Sequence, residues 1–416
     1  MPVPLPTTFV FCTCQPGAEQ PLKSEIAARR SEWRLAFSRP GFVSFKSLQS
    51  QGATLDGALP TFARTRSVSL GRVKGDSLAA AATEVWEIEG VRRLIDAQEL
   101  VGLHVWQRDT QLPGEGDFEP SVTPLAEETK RALIEAARTA EVTDRLSMLE
   151  ATVAPPGAVV LDVVLVEPDE WYVGWHRATS RSERWPGGML PVAAPSDMVS
   201  RAYLKMEEAL KWSALPASRG DVWVELGCAP GGASQALLER GFEVIGIDPA
   251  EVEEPVASHP RFTHHRKRSA DVRRVEFAPA KWLAADLNVA PQYTLDAAED
   301  VVAHPSTSLR GLVLTLKLAD WNVASPELLK QYIKRVQSWG FRDVRLRQLV
   351  HNRHELCLVA LHSRGQRRMK RSRRRPTARG KSDSTQSSDM ESSETIEENE
   401  IRFDAPTRMT PPHHFR

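Results

Sequence analysis

One segment, from Asp221 to Asp248, limits the fold of this 416-residue chain more than any other. It begins with the apolar stretch DVWVEL, continues through a loop with three glycines and a short helical pattern, and ends with a second apolar stretch, FEVIGID. A strand, a glycine-rich loop, a helix and a second strand in this order form a unit of a parallel α/β sheet. Glycines let a ligand approach the backbone, and the first N–H groups of a helix have no partner within it, so the loop predicts a cofactor site.

The side chains around this loop indicate the kind of cofactor. Glu225 lies at the end of the first strand, and Asp248 ends the second, where a carboxylate can bind ribose hydroxyls. The glycines at 227, 231 and 232 do not have the G-x-G-x-x-G spacing of dinucleotide sites. An acidic group at position 225 would repel a pyrophosphate and attract a cationic sulfonium. The segment therefore favours S-adenosyl-L-methionine over a tight turn that binds no ligand.

Strand and helix patterns divide the chain into three parts. Residues 196–363 alternate strands and helices, which predicts one parallel α/β domain. Residues 1–190 combine strand–helix–strand patterns with a hairpin around residues 167–169, which predicts an α+β region. The elements expected in the second part are strands at 221–226, 242–248, 281–286, 311–318 and 355–361 and helices at 200–212, 234–240 and 325–338. Ser200 is a candidate N-cap of the first of these helices.

The charges are distributed unevenly between these parts. The chain has 54 basic and 54 acidic residues, a net charge of zero. Residues 364–381 contain ten basic residues and no acidic one, whereas residues 383–404 contain eight acidic residues and one basic. With so few aliphatic side chains, residues 364–416 are expected to form a disordered tail, basic first and then acidic. Overall neutrality therefore does not exclude RNA as a partner.

Cysteine usage and hydropathy indicate the compartment. The chain has four cysteines, which are Cys12, Cys14, Cys228 and Cys357. None forms a C-x-x-C pair, so neither structural zinc nor a disulfide framework is expected. The first residues do not have the pattern of a signal peptide, and the longest apolar stretches reach about half of what a bilayer crossing requires. We expect a cytoplasmic protein with reduced thiols, no membrane anchor and no metal.

Four charged residues interrupt apolar patterns. Lys205 lies in the middle of a predicted helix, Asp286 ends a strand, Lys317 extends the strand GLVLTLKL, and Glu355 begins ELCLVAL. On the third of these elements Leu312, Leu314 and Leu316 would share one face and Val313, Thr315 and Lys317 the other. Each charge alone is typical of an ion pair or a solvated face. Two lysines and two carboxylates beside a cofactor loop indicate catalysis instead.

These residues resemble the signature of a known family. The order Lys-Asp-Lys-Glu, with the segments APSDMVSRAYLKMEEAL, LGCAPGGAS, AADLNVAP, LTLKLAD and RQLVHNRHELCLVAL, is similar to that of the FtsJ-like ribose 2′-O-methyltransferases. The similarity is closer to the RlmM-type branch, which methylates a cytidine ribose of bacterial large-subunit rRNA. The opening FCTCQPGAEQPLKSEI also resembles this branch, so the resemblance covers most of residues 1–363.

The resemblance implies a fold and a set of site residues. The fold would be a Rossmann-like class I methyltransferase domain behind a ferredoxin-like and THUMP-type RNA-binding region. The implied catalytic residues are Lys205, Asp286, Lys317 and Glu355. The implied cofactor-binding residues are Glu225, Gly227, Ala229, Pro230, Gly231, Gly232, Asp248 and Asp271.

Two questions stay open at the level of sequence. Lys317 is the expected central group, either as a partly neutral base whose pKa Lys205 lowers or as a cation that orients the ribose oxygen. The substrate could be 23S rRNA, or a tRNA or mRNA cap as for other FtsJ-like enzymes, or the chain could be a non-catalytic RNA-binding factor. The basic segment HHRKRSADVRR, residues 264–274, is either an RNA contact or a solvated loop. The oligomeric state is not indicated.

Overall fold

The computed structural model describes residues 9–48, 55, 57–140 and 149–363, and the predicted tail lies outside them. The strands form two seven-stranded sheets, one in each half of this part of the chain. Within these residues, none of the helices has the length and apolar character needed to cross a lipid bilayer.

The N-terminal sheet is mostly antiparallel. Its elements are β1 (Phe9–Cys14), α1 (Glu19–Arg29), β2 (Trp33–Arg39), β3 (Phe42–Ser47), β4 (Ala63–Lys74), α2 (Leu78–Glu87), α3 (Glu89–Asp96), β5 (Leu100–Gln107), α4 (Pro124–Thr139), β6 (Val159–Glu167) and β7 (Glu170–Arg177). The strand order is β2-β3-β1-β4-β7-β6-β5, and β5 and β6 are its parallel neighbours. Helices α2 and α4 pack on one face, over a core of alternating side chains from β5, β6 and β7.

The C-terminal sheet is parallel over five of its strands. Its elements are α5 (Ala202–Ser213), β8 (Val222–Leu226), α6 (Gly232–Glu239), β9 (Glu243–Ile247), β10 (Phe262–His265), β11 (Trp282–Ala285), α7 (Pro291–Val302), β12 (Gly311–Lys317), α8 (Pro326–Ser338), β13 (Asp343–Arg347) and β14 (Glu355–Leu361). The strand order is β10-β9-β8-β11-β12-β14-β13, with β14 antiparallel to both neighbours.

The sheet departs from the parallel pattern only at β14. Seven residues connect β13 to β14, whereas a parallel return needs a crossover of about a dozen residues or more. Ser200 does not cap α5, since Arg201 occupies the N-cap position and no side-chain capping bond is formed. The hydroxyl of Ser200 instead packs against the backbone at Gly232, at the start of α6.

The hydrophobic core lies on both faces of the C-terminal sheet. Leu312, Leu314 and Leu316 of β12 pack on one face and Val313 on the other, as the alternation predicted. The first of these clusters continues into the N-terminal half through residues of β1, α1 and the segment before β4. The two sheets therefore share apolar packing, and the division of the chain near residues 190–196 into separate domains stays a prediction.

Candidate active site

The four charged residues singled out in the sequence meet at one edge of the C-terminal sheet. Asp286 follows β11 and Lys317 ends β12, and the carboxyl ends of parallel strands lie at the same edge. Glu355 begins the antiparallel strand β14 and pairs directly with Lys317 in the register. Lys205 reaches them from α5, which packs over the sheet face that contains Val313. The fold therefore brings together all four predicted catalytic residues.

Within this tetrad each carboxylate contacts both lysines. Lys205 Nζ forms a close ion pair with Asp286 and lies 3.3 Å from the Glu355 carboxylate. Lys317 Nζ lies 3.4 Å from Asp286 Oδ1 and 3.5 Å from Glu355 Oε1. The Lys317 side chain is 28% exposed, against 12% for Lys205. Lys205 is thus the more enclosed of the two lysines, and Lys317 is the one open to a ligand.

The charge state of Lys205 follows from its surroundings. Burial alone would lower the pKa of its ammonium, but the carboxylates of Asp286 and Glu355 outweigh this effect and hold the pKa above its ordinary value. Lys205 therefore remains a cation beside the two carboxylates. It can keep both of them charged and fixed in position.

The glycine-rich loop lies beside this tetrad. Gly227 has a φ of 78° and Gly231 a φ of 124°, values that L side chains rarely adopt. A Cβ atom on Gly227 would also lie 2.9 Å from the carbonyl oxygen of Asp286, so the loop and β11 meet backbone to backbone. Ala229 and Pro230, joined by a cis peptide, lie between the two glycines. The loop conformation consequently depends on its glycines.

Two acidic residues flank the loop, as the sequence predicted. Glu225 is buried and accepts a 2.5 Å hydrogen bond from the Ser234 hydroxyl. Asp248 accepts hydrogen bonds from the backbone N–H of Ala229 at 3.2 Å and of Ala250 at 2.9 Å, so its carboxylate orders the loop. The structure places the third predicted acid, Asp271, on an exposed turn after β10.

A small pocket connects the loop to the tetrad. Its lining includes Glu225, Lys205 and Asp286, with Ala233 and Thr315 among the remaining wall residues. Among the described residues Glu225 forms no ion pair, although it lies within a site that contains two lysines. A buried carboxylate without a cationic partner suits a ligand that itself carries positive charge.

Sequence analysis missed the role of the turn before Glu355. Asn352 is buried and donates from Nδ2 to Glu355 Oε2 at 3.4 Å. Glu208 of α5 accepts the backbone N–H groups of Val350 and His351 at 2.8 and 2.9 Å. The turn is therefore fixed to the helix that contains Lys205. The polar residues of the HNRHE segment could have indicated a structured turn. The sequence does not show, however, that Glu208 of α5 binds the backbone of this turn.

The N-terminal half also holds this turn. Arg64 donates from Nη2 to the carbonyl of Val350 at 3.3 Å, and Gln348 donates its backbone N–H to Thr61 O at 2.9 Å. Glu119 accepts from His351 Nδ1 at 2.8 Å and pairs with a guanidinium at the start of α5. Residues of the N-terminal half thus help to position Glu355.

The basic segment at residues 264–274 is largely exposed but partly neutralised. Arg266 pairs with Glu251, and Arg273 pairs with Glu276, both at 2.6 Å. Exposed ion pairs of this kind are weak and can exchange partners at little cost. A role for this segment in binding RNA remains a prediction.

Replacing Glu225 with glutamine is expected to stabilise the ligand-free protein in a pH-dependent manner. Burial raises the pKa of Glu225 to about 8. The nearby carboxylates of Asp286 and Asp248 also raise this pKa, whereas the hydrogen bond from Ser234 lowers it. In the unfolded chain the group ionises near 4.5, so the folded protein binds more protons between these two values. Wild-type stability therefore falls as the pH rises through this window, and glutamine removes the loss.

The measurement is the difference in Tm between the variant and the wild type by calorimetry without ligand. This difference should be small near pH 5, grow towards pH 8 and then level off. Glu243→Gln, at an exposed glutamate of β9, is the matched control. A Tm difference for Glu225→Gln that does not change with pH would contradict this account of the site.

Comparison with known proteins places this half of the chain in a class. Residues 198–342 match the family of FtsJ-like methyltransferases, so the C-terminal part contains an FtsJ-like methyltransferase domain. This range holds Lys205, Asp286 and Lys317 with the whole cofactor loop, whereas Glu355 lies beyond its end. The match confirms the predicted α/β methyltransferase fold and the predicted cofactor, S-adenosyl-L-methionine.

Two curated relatives are similar to part of this chain. The chain is 32% identical over 183 residues to ribosomal RNA large subunit methyltransferase M of Halorhodospira halophila, a match that covers 43% of this chain and 51% of the relative. It is 27% identical over 181 residues to the protein of the same name from Laribacter hongkongensis, covering 42% and 51%. The chain therefore spans about half the length of these curated relatives.

Similarity to solved structures is more distant. The structure of TrmN from Thermus thermophilus aligns with 85% of this chain and 99% of its own, at 14% identity and a TM-score of 0.31. A score this low adds nothing to the fold described above. The THUMP-type character predicted for residues 1–190 accordingly remains a prediction.

Proposed function

We propose that this chain is an S-adenosyl-L-methionine-dependent RNA ribose 2′-O-methyltransferase whose substrate is a cytidine of large-subunit (23S) rRNA. The observation that carries the proposal is the tetrad of Lys205, Asp286, Lys317 and Glu355. Its two lysines and two carboxylates lie at the sheet edge next to the glycine-rich loop. A ribose hydroxyl requires such a site because it is a weak nucleophile that must lose its proton as it attacks.

The reaction sets the demands on the site. S-adenosyl-L-methionine, when bound, supplies a methyl group on a positively charged sulfur. The O–H bond of the ribose breaks, an O–CH₃ bond forms, and the CH₃–S bond breaks with its electron pair staying on the sulfur. The proton passes to a base or to water. Much of the acceleration then comes from aligning the ribose oxygen with the methyl group.

Lys317 is the residue that we assign to the ribose oxygen. It is the more exposed of the two lysines, and its Nζ forms ion pairs with Asp286 and Glu355. A neutral Lys317 would accept the proton, and a charged one would donate to the oxygen and stabilise its developing negative charge. Lys205 keeps the two carboxylates in place in either case.

The cofactor fits the residues of the loop. Glu225, Gly227, Ala229, Pro230, Gly231, Gly232, Asp248 and Asp271 are the residues that we propose to hold it. The fit rests on Glu225, a buried carboxylate that finds no cation among the described residues. A ligand with positive charge would satisfy it, whereas a pyrophosphate would be repelled.

The substrate is inferred from the names of the relatives. Two proteins that are similar to part of this chain are called ribosomal RNA large subunit methyltransferase M. We propose that residues 1–190 form an RNA-binding region and residues 196–363 the catalytic domain, and that residues 364–416 add a basic contact. Such a protein would act in the cytoplasm, where its rRNA is found.

The test is methyl transfer from labelled S-adenosyl-L-methionine by the full chain. We expect label in protein-free 23S rRNA from a strain that lacks the modification, and nuclease digestion should place it on the 2′-oxygen of a cytidine. Fully modified 23S rRNA is the matched control and should accept no label. Label in tRNA or in capped mRNA instead would replace the rRNA assignment. Absence of transfer to every RNA would favour a non-catalytic RNA-binding factor.

A further inference from the structure

Three ligand-type side chains converge inside the N-terminal sheet, far in sequence from the tetrad. They are His104 on β5, Asp162 on β6 and His176 on β7, three adjacent strands. All three are buried, and one ligand atom from each lies within 4.8 Å of the others. The register pairs His104 with Asp162 and places all three on the sheet face opposite the α2–α4 core. Sequence analysis found no such set because the three residues belong to separate strands.

Several polar atoms of this cluster have no partner in the described structure. Asp162 Oδ1 accepts no hydrogen bond, and the His104 ring has only a poorly aligned contact with the backbone at Arg184. His104 is 1% exposed and Asp162 is fully buried, so bulk water does not reach these atoms. A buried polar group left without a hydrogen bond costs about 1–3 kcal/mol. Unpartnered acceptors on two facing residues therefore indicate that a ligand belongs between them.

The remaining contacts are those that support metal ligands. His176 Nε2 lies 2.7 Å from the backbone carbonyl of Glu183, and Ser67 Oγ donates to Asp162 Oδ2 at 2.6 Å. A histidine that binds a metal through one ring nitrogen usually donates its other N–H to a carbonyl or carboxylate, and a ligating carboxylate is itself hydrogen-bonded. His176 Nδ1 then faces the ion, and its present 2.6 Å hydrogen bond to Asp162 Oδ2 would be replaced by the two metal bonds.

We propose that His104, Asp162 and His176 bind a divalent transition-metal ion of the zinc type. Zinc bonds of about 2.0–2.2 Å place neighbouring ligand atoms about 3.3 Å apart in a tetrahedral site. The present separations of 2.6 Å between His176 Nδ1 and Asp162 Oδ2, and 4.0 Å between His104 Nδ1 and Asp162 Oδ1, bracket this value. Small side-chain rotations suffice. Two imidazoles and one carboxylate favour such an ion over calcium or magnesium.

The place of the site in the fold indicates a structural role. The short turn at Ser182–Arg184 covers the cluster through the carbonyl of Glu183, and Ser182 of the same turn accepts a 2.7 Å hydrogen bond from Arg347 of β13. An ion here would fasten three strands of the N-terminal sheet beneath the segment that leads to the methyltransferase domain. The site is enclosed, so the ion would bind during folding rather than take part in methyl transfer.

The test measures the metal content of the full chain, made without a histidine tag. The protein is folded with an excess of Zn²⁺, Mn²⁺ or Mg²⁺, and gel filtration then removes the unbound metal. We expect one zinc ion per chain by elemental analysis, little Mg²⁺, and a Tm that falls when a chelator removes the zinc. Folding with Co²⁺ should give the visible absorption bands of a tetrahedral nitrogen–oxygen site.

His104→Phe separates a metal site from a buried polar network. Because the His104 ring makes no well-aligned hydrogen bond, this variant should fold, keep about the wild-type Tm without metal, and retain no zinc. His354→Gln, at an exposed histidine, is the matched control and should retain the full amount. Wild-type protein without zinc, or a His104→Phe variant with as much zinc as the wild type, would overturn the proposal.

Discussion

Lys317→Ala is expected to lower the rate of methyl transfer by at least about 10²-fold while the protein still binds S-adenosyl-L-methionine. Removing the amine takes away the group nearest the assigned position of the ribose oxygen, so the barrier of the chemical step rises. Lys205 still pairs with Asp286 and Glu355, which keeps the two carboxylates from repelling each other. The loss should therefore appear in kcat far more than in the dissociation constant of the cofactor.

Two measurements and one control check this expectation. Single-turnover transfer to unmodified 23S rRNA gives the chemical step, and calorimetric titration gives cofactor affinity. Lys330→Ala, which removes an exposed lysine of α8, should keep the wild-type rate and excludes a general effect of lost positive charge. If Lys317→Ala transferred methyl groups at the wild-type rate, the assignment of Lys317 to the ribose oxygen would be wrong.

The C-terminal fold was predictable because its strands are short apolar runs with clear ends. β8, β9, β11, β12 and β14 all lie within one residue of their predicted bounds. The direction of β14 was not predictable, since an apolar stretch is the same in either direction and the antiparallel pairing follows from the short connection before it. The edge strands β10 and β13 were missed because FTHH and DVRLR contain more polar than apolar residues.

The tetrad was predictable for a different reason. Asp286 and Lys317 are charged residues at the ends of apolar strands, and the carboxyl ends of parallel strands meet at one edge. Lys205, inside α5, and Glu355, at the start of an antiparallel strand, were assigned from the resemblance to the Lys-Asp-Lys-Glu order. Contacts between distant segments are not visible in this way. Glu119, Arg64 and Glu208 look like ordinary surface charges in sequence, yet the fold uses them to hold the turn before Glu355. The His104 cluster was missed for the same reason.

Gly232→Ala is expected to reduce methyl transfer by about 10²-fold through displacement of Lys205. A Cβ atom at this position would lie 2.8 Å from the carbonyl oxygen of Ser200 and 3.0 Å from the backbone nitrogen of Tyr203. Both atoms belong to backbone at the start of α5, so the crowding cannot be relieved by turning a side chain. The helix must move away from the glycine-rich loop, and Lys205 must move with it.

This variant differs from Lys317→Ala in the step that it affects. Moving α5 away from the loop disturbs the cofactor site and the tetrad together, so cofactor affinity and kcat should fall in parallel, with a stability loss of about 1–3 kcal/mol. Gly102→Ala on β5 is the matched control, because its added methyl would meet only Val160 Cγ2 at 4.0 Å. A Gly232→Ala protein with wild-type cofactor affinity and rate would show that the loop and α5 can separate without cost. In that case the close contact between Gly232 and the start of α5 would not set the position of Lys205.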